Sequence, residues 1–382
     1  MTTIATLLSG GEGVGVGARD AGLRHIWGIE ADDAIADVAR ANGFDLITAK
    51  IQDVDPTTLE VPDVLHASPE CQRASQARQT DEGGRESPLD REIGASVCDY
   101  LLVMRPKIFT LENVWGYRNF TAFQGICATL NALGYFYHYA NVNAADFGVP
   151  QTRRRLILRA VRGGLLPELP APEPWVGWYE AIEDLIPGLP ESKFAPWQLA
   201  RLPDIMQPIM IGGGNTNMVD AENGRHYTPP DSPSTTIAAD ISLTRMRAFI
   251  LSNAATQWGD GVRVEAEPVH AITSESNGRT RAFIIGGQFA QPDHGDGATR
   301  TAQRVDEAEP IFFVTAVNKG DWRAWLSQGR VVKMTPRCLA RFQSFPDSYI
   351  LPDSNALACR VIGNAVPPLL YEKIIKGLTG NA

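Results

Sequence analysis

Residues 3–8, TIATLL, are apolar and partly β-branched, and a glycine-dense run, SGGEGVGVGARDAG, follows without a break. Such a pair reads as a buried strand, a tight loop and the start of a helix. The pattern then recurs. HIWGIEADD is a short strand ending in acids, and DDAIADVARANG is an amphipathic helix with Asp32 or Asp33 as its cap and Gly43 as its stop. FDLITAKI, VPDVLHAS and PKIFTLENV read as further strands. REIGASVCDYLLVMR has helical period, and FTAFQGICATLNALGY is a helix that stops at Gly134. YFYHYANVNAADFGVPQ and RRRLILRAV look like strands around a loop. Regular alternation of strand and helix predicts an α/β, Rossmann-like domain with a mostly parallel sheet over residues 1 to about 162.

Near residue 163 the pattern changes. GGLLPELPAPEPW is linker-like, and glycine, proline and threonine are frequent beyond it. A weak repeat begins at Ser232, Glu267 and Glu309. Each copy has a proline, Ile or Val four residues on, then Arg-Ala, an aromatic and an aliphatic residue. Strand–turn–strand units of this kind predict a smaller, irregular, β-rich second domain. The last segments, MTPRCLARFQSFPDSYIL and RVIGNAVPPLLYEKIIKGL, return to helical character, with Pro367 and Pro368 where a helix tolerates proline. The expected division is 1–165 plus 355–382 for the first domain and 166–354 for the second.

Composition excludes several classes. Five scattered cysteines, Cys71, Cys98, Cys127, Cys338 and Cys359, have no zinc-finger spacing and no even count, so neither a disulfide framework nor a structural metal is expected. No run approaches the roughly 20 apolar residues of a membrane span. The first residues, MTTIATLLSGGEG, lack a secretory pattern, so an intracellular, cytoplasmic protein without membrane association is expected. A net charge of −9 is not that of a general nucleic-acid binder, although a local basic groove can act inside an acidic protein.

The chemistry concentrates at predicted strand ends. The loop glycines Gly10, Gly11, Gly13, Gly15 and Gly17 would let a cofactor approach the backbone. Glu30 closes the next strand, where a carboxylate can accept both hydroxyls of a ribose, and Asp53 could bind an adenine amino group. The neighbouring Leu8, Ser9, Ala31, Val54 and Pro69 complete a candidate nucleoside-cofactor pocket, for a dinucleotide or S-adenosylmethionine. Cys71 in SPEC and Glu112 in LENV follow two other strands. Arg153 and Arg155 in QTRRR share one side of a strand by its two-residue period. A thiol, a carboxylate and two arginines could therefore converge at the carboxyl edge of one sheet.

In order along the chain stand the glycine loop, the acidic strand end, Pro-x-Cys-Gln, Glu-Asn-Val, Gln-x-Arg-x-Arg, a variable stretch, Thr-Pro-Arg with Phe-Pro-Asp, and Gly-Asn-Ala-Val-Pro-Pro. In this order the chain resembles the DNA cytosine-5 methyltransferases over nearly its whole length. The resemblance implies S-adenosyl-L-methionine as cofactor, double-stranded DNA as substrate and a target-recognition domain in the variable stretch. It implies Cys71 as the nucleophile adding to cytosine C6, Glu112 at N3 and the exocyclic amine, and Arg155 at the base O2 with Arg153 beside it. Because the target base is inaccessible in a duplex, it would be flipped out. Gln72 and Ser75 would belong to a closing, DNA-contacting loop through Gly83 and Gly84, and Asn364 and Val366 to the cofactor pocket. Arg245, Arg247, Arg279, Arg281 and Arg323 are candidate readers of bases or phosphates. A monomer is expected. A cognate restriction endonuclease, an orphan role and a phage-borne role all stay open as settings. Rival readings are a catalytically silent DNA-binding relative, and an enzyme acting on RNA or a modified cytosine.

Three positions depart from the family's pattern. Glu70 stands where Pro-Pro-Cys has its second proline, beside the thiol and within reach of Arg73. Glu12-Gly13 replaces two adjacent glycines, and Thr6-Leu7-Leu8 replaces Asp-Leu-Phe.

Overall fold

The structure is a computed structural model of the 382-residue chain. It describes residues 1–69, 86–191, 248–251, 262–264, 269–270, 281–284 and 330–380, with backbone only at 248–251, 262–264, 269–270, 281–284 and 330–331. The chain divides into two compact units: Met1–Ile182 with Glu267–Asn277 and Thr335–Ala382, and Glu183–Ala266 with Gly278–Met334. Residues 166–182, 267–277 and 335–354, expected above in the second domain, fall in the first unit.

The first unit is built on seven strands: β1 (Thr3–Leu7), β2 (Arg24–Glu30), β3 (Leu46–Thr48), β4 (Val64–Ala67), β5 (Ile108–Asn113), β6 (Tyr135–Asn143) and β8 (Arg154–Arg162). Their order is β3-β2-β1-β4-β5-β8-β6. β1 to β5 run parallel, β8 is antiparallel to β5, and β6 is antiparallel to β8. Chain order reverses between β1 and β4, which makes that gap the switch point where open α/β sheets bind ligands. The central strands are buried on both faces, which explains their continuous apolar runs.

Helices cover both faces. α1 (Gly13–Asp20), α2 (Asp33–Ala41), α3 (Pro88–Met104) and α4 (Thr121–Ala132) come from the first half. α5 (Trp178–Ile182), α6 (Pro336–Phe342), α7 (Asn355–Asn364) and α8 (Pro368–Thr379) follow. Ile93, Val97, Leu101, Phe123, Ile126 and Leu130 of α3 and α4 join one apolar core. Val14, Ala18, Leu370, Ile374 and Ile375 of α1 and α8 join the other. Local chemistry sets the helix starts. Asp32 Oδ1 accepts from Ile35 N at 3.1 Å and caps α2. Ser87 and Asp90 form a reciprocal capping box on α3, with Pro88 in its first turn. α1 packs so closely on α8 that a Cβ at Gly17 would lie 2.2 Å from the Pro368 carbonyl oxygen.

The two-residue strand β7 (Gln151–Thr152) pairs with β11 (Val269–His270) in the same unit. The second unit contains an antiparallel sheet of β9 (Ala248–Leu251), β10 (Val262–Val264), β12 (Arg281–Ile284) and β13 (Arg330–Lys333), in the order β10-β9-β12-β13. Here the repeat acquires a meaning: the Ala-Phe-Ile strands of its first two copies pair with each other, Phe283 opposite Phe249. The third copy lies outside the described residues.

Among the described residues no helix is long and apolar enough to cross a membrane, and no group of three or more His, Cys, Asp or Glu could hold a metal ion.

Candidate active site

The carboxyl ends of β1, β2, β4 and β5 carry the predicted chemistry. After β1 the chain makes a tight turn in which Leu8, Gly10 and Glu12 all have left-handed backbones, with φ of 55°, 56° and 60°. Ser9 donates its hydroxyl to the Thr6 and Ile29 carbonyls at 3.0 and 3.2 Å, fixing the turn to β1 and β2. A Cβ placed on Gly10 would meet nothing within 4 Å, so the turn is open there. Gly11 and Gly13 answer to packing. A Cβ on Gly11 would lie 2.4 Å from Val361 Cγ1, and one on Gly13 would lie 2.3 Å from the Val366 carbonyl oxygen. The buried Tyr349 hydroxyl donates to the Gly11 carbonyl at 2.6 Å.

Glu30 ends β2, half-buried, with one carboxylate oxygen accepting from Gly10 N and the other from Asp32 N, both at 2.9 Å. Each oxygen retains a lone pair for a hydroxyl donor. Ala31 is exposed beside it. Asp53 and Val54 line a shallow cleft of about 290 Å³ with Ser96, Asp99 and Tyr100, and Tyr100 donates its hydroxyl to the Val54 carbonyl at 3.2 Å. An open turn, a strand-end carboxylate with spare acceptors and an acid lining a cleft are the kinds of group that the adenosyl part of S-adenosylmethionine requires. Glu30 would take the ribose hydroxyls and Asp53 the adenine amine. Val366 was expected in the cofactor pocket together with Asn364. It is 4% exposed and belongs to the core between α1 and α8, whereas Asn364, the last residue of α7, is exposed.

Glu112 and Asn113 end β5 and are both buried. Asn113 Nδ2 donates to the Pro69 carbonyl at 3.0 Å, across the gap between β5 and the end of β4. Ser68 is held from below: its hydroxyl hydrogen-bonds His66 Nε2 at 2.8 Å, and His66 Nδ1 hydrogen-bonds Thr110 Oγ1 at 2.8 Å. His66 is 2% exposed, and burial pulls its pKa down to about 3, so it is neutral at ordinary pH. The chain is therefore fixed up to Pro69, two residues short of Cys71.

Arg155 lies in β8, and its Nε stands 2.9 Å from Glu112 Oε1. That oxygen is buried and accepts no well-directed hydrogen bond among the described residues. The carboxylate is charge-compensated yet retains acceptor capacity, as a base-binding group must. Arg153 sits at the break between β7 and β8, not in one strand with Arg155. The interruption after Gln151–Thr152 ends the two-residue period there. Arg153 is 2% exposed, and its Nη2 donates to the Gly363 carbonyl at 3.0 Å. Burial, then the charge of Arg155, pushes its pKa down, while Glu112 opposes the shift. A guanidinium stays protonated through such a shift. The Gly363 carbonyl and the Glu112 carboxylate compensate the charge that burial would otherwise leave exposed to a desolvation cost.

The sequence motifs are wired to one another in ways that spacing did not reveal. Gln151 donates to Gln343 Oε1 at 2.5 Å, and Gln343 donates to the Ala365 carbonyl at 2.6 Å. Gln-x-Arg-x-Arg, Phe-Gln-Ser-Phe-Pro-Asp and Gly-Asn-Ala-Val-Pro-Pro thus share one buried polar chain. Buried glutamines in separate motifs were the available signal. Cys71, with Glu70, Gln72, Arg73, Ser75, Gly83 and Gly84, lies outside the described residues, as do Arg245, Arg247, Arg279 and Arg323. Arg281 is placed in β12 by its backbone alone.

A family model for C-5 cytosine-specific DNA methylases matches residues 2–380. Type II methyltransferase M.AgeI of Thalassovita gelatinovora is 23% identical, covering 95% of this chain and 96% of its own. Type II methyltransferase M1.HphI of Haemophilus parahaemolyticus is 26% identical over 98% and 86%. Among solved structures, a DNMT2 variant of Spodoptera frugiperda superposes with a TM-score of 0.59 at 15% identity, covering 99% of this chain and 100% of its own, a likeness of fold. The open turn, the strand-end carboxylates and the match from residue 2 to 380 lead to one assignment: the chain belongs to the C-5 cytosine-specific DNA methylase family, enzymes that use S-adenosylmethionine to methylate cytosine in DNA.

Proposed function

We propose that this chain methylates C5 of a cytosine flipped out of double-stranded DNA at a specific sequence, through a covalent bond between Cys71 and C6. Cytosine C5 is a weak nucleophile. Addition of the Cys71 thiolate to C6 would make C5 enamine-like and able to attack an electrophilic methyl group. S-adenosylmethionine, when bound, supplies that methyl group. Glu112 holds N3 and the exocyclic amine as charge builds on the ring, and Arg155 neutralises Glu112 and reaches the base O2. Arg153 ties the arginine segment to α7. A water then takes the C5 proton, and the Cys71–C6 bond breaks to release the thiolate. Glu30 and Asp53 hold the adenosyl part. Both relatives named above are Type II methyltransferases, which supports a modification role beside a cognate endonuclease.

The observation that carries this reading is the pairing of the buried Glu112, at the end of β5, with the half-buried Arg155 of β8, next to the Asn113 bond that fixes Pro69. Nucleoside mass spectrometry on DNA from cells expressing the wild type or Cys71→Ala tests it. We expect 5-methylcytosine with the wild type only, at one sequence context. Equal 5-methylcytosine with Cys71→Ala would overturn the covalent route.

A further inference from the structure

The two breaks in the family's pattern around the cofactor turn, Thr6 and Glu12, meet in space: Thr6 Oγ1 donates to Glu12 Oε1 at 2.5 Å. Glu12 is 0% exposed, and its φ of 60° is a conformation that glycine takes freely and glutamate takes only under strain. Such positions persist when the surroundings over-determine them, and here they do. His25 Nε2 lies 3.1 Å from the same carboxylate oxygen and 3.3 Å from Thr6 Oγ1, and Ser9 Oγ lies 2.8 Å from Thr6 Oγ1. Two glycines keep the space clear. A Cβ on Gly28 would stand 2.4 Å from Glu12 Oε1, and one on Gly15 would stand 2.5 Å from Oε2. Oε2 is buried without a hydrogen bond from any described residue, beside the first turn of α1, where a helix N-terminus favours negative charge.

We infer that the two departures are one exchange. The carboxylate that the family carries at the end of β1 is carried here on the turn, and Glu12 is a positioning residue for S-adenosylmethionine. From Glu12 the contacts run through Thr6 to Ser9, and the next residue, Gly10, donates its N–H to Glu30, the carboxylate assigned to the ribose. The buried carboxylate thereby sets the backbone shape against which the adenosyl group rests. The inference rests on the family's methyl donor and is independent of the Cys71 chemistry.

The test is calorimetric titration of S-adenosylhomocysteine into the purified full chain without DNA, with thermal unfolding recorded for each variant. Glu12→Gly alone should weaken binding about tenfold or more, because the turn loses its preorganisation. Thr6→Asp alone should be worse still, with two carboxylates forced together in one buried site. Thr6→Asp with Glu12→Gly should restore binding to near the wild type, and Glu12→Gln, which can still accept from Thr6, should bind better than Glu12→Gly. In DNA methylation assays the Glu12→Gly defect should appear in the KM for S-adenosylmethionine rather than in kcat. Unchanged affinity in Glu12→Gly overturns the positioning role. A double variant that unfolds, or binds no better than Glu12→Gly, overturns the exchange. Failure of the Cys71 mechanism would leave all of these titrations unmoved.

Discussion

Two buried titratable residues do separate work. Glu112 is buried at the end of β5 beside Arg155, and in the proposed function it holds the base; its replacement by glutamine keeps the volume but replaces a carboxyl by an amide. Glu112→Gln should lower methyl transfer roughly 10²–10⁴-fold, the usual worth of a positioned acid or base. S-adenosylhomocysteine affinity, measured by titration, should stay as it was. His66 works through stability. Its native pKa of about 3 lies below the ordinary value of 6.5. Between those values the unfolded chain binds a proton that the native chain refuses, so stability rises with pH there. The contribution is complete above about pH 6.5 and drains away toward pH 3, at up to about 1.4 kcal/mol per pH unit. Urea midpoints across pH 7.5 to 5 should fall less steeply for His66→Gln than for the wild type, and parallel curves would refute the assignment. The places of Glu30 and Glu112 at strand ends and of Arg155 in a strand were legible because the hydrophobic runs and motif order point to them. The Thr6–Glu12 contact was not. Sequence flags both as oddities, but only a left-handed residue 12 turns the carboxylate back under β1.

The strands and helices of the first half were readable because each is bounded by strong local signals: Asp32 and Ser87 as caps, Gly43 and Gly134 with positive φ as stops. Gly17, expected with Gly15 in a cofactor loop, lies instead inside α1 and packs against α8. In the middle of α1 a glycine looks like a defect, and alanine would gain about 1 kcal/mol of helix propensity. The Pro368 carbonyl oxygen, 2.2 Å from the new Cβ, is backbone and cannot rotate away. Overpacking of this kind costs typically 1–3 kcal/mol. Gly17→Ala should therefore lower the melting temperature by scanning calorimetry, with α8 displaced from α1. The break between β7 and β8 was missed for the opposite reason. QTRRRLIL has an uninterrupted strand pattern, and the buried hydrogen bonds of Gln151 and Arg153 to distant segments override it.

For the molecule as a whole, alternation of strands and helices foretold the parallel sheet, because short crossovers leave few topologies open. It could not foretell which distant motifs would touch. Gln343 joins Gln151 to the Ala365 carbonyl inside the first unit. Gln343→Leu removes buried hydrogen-bond partners at both ends and should cost about 2–3 kcal/mol, read as a lower melting temperature and a weaker grip on S-adenosylhomocysteine. One consequence concerns time. The Tyr349 hydroxyl closes on the Gly11 carbonyl across 338 residues of chain. At roughly 5–20 residues per second, a ribosome makes the glycine turn tens of seconds before it makes the tyrosine that completes it. During that interval the nascent first strands carry an apolar flank without its cover, and methylation competence can arise only after synthesis of the C-terminal helices.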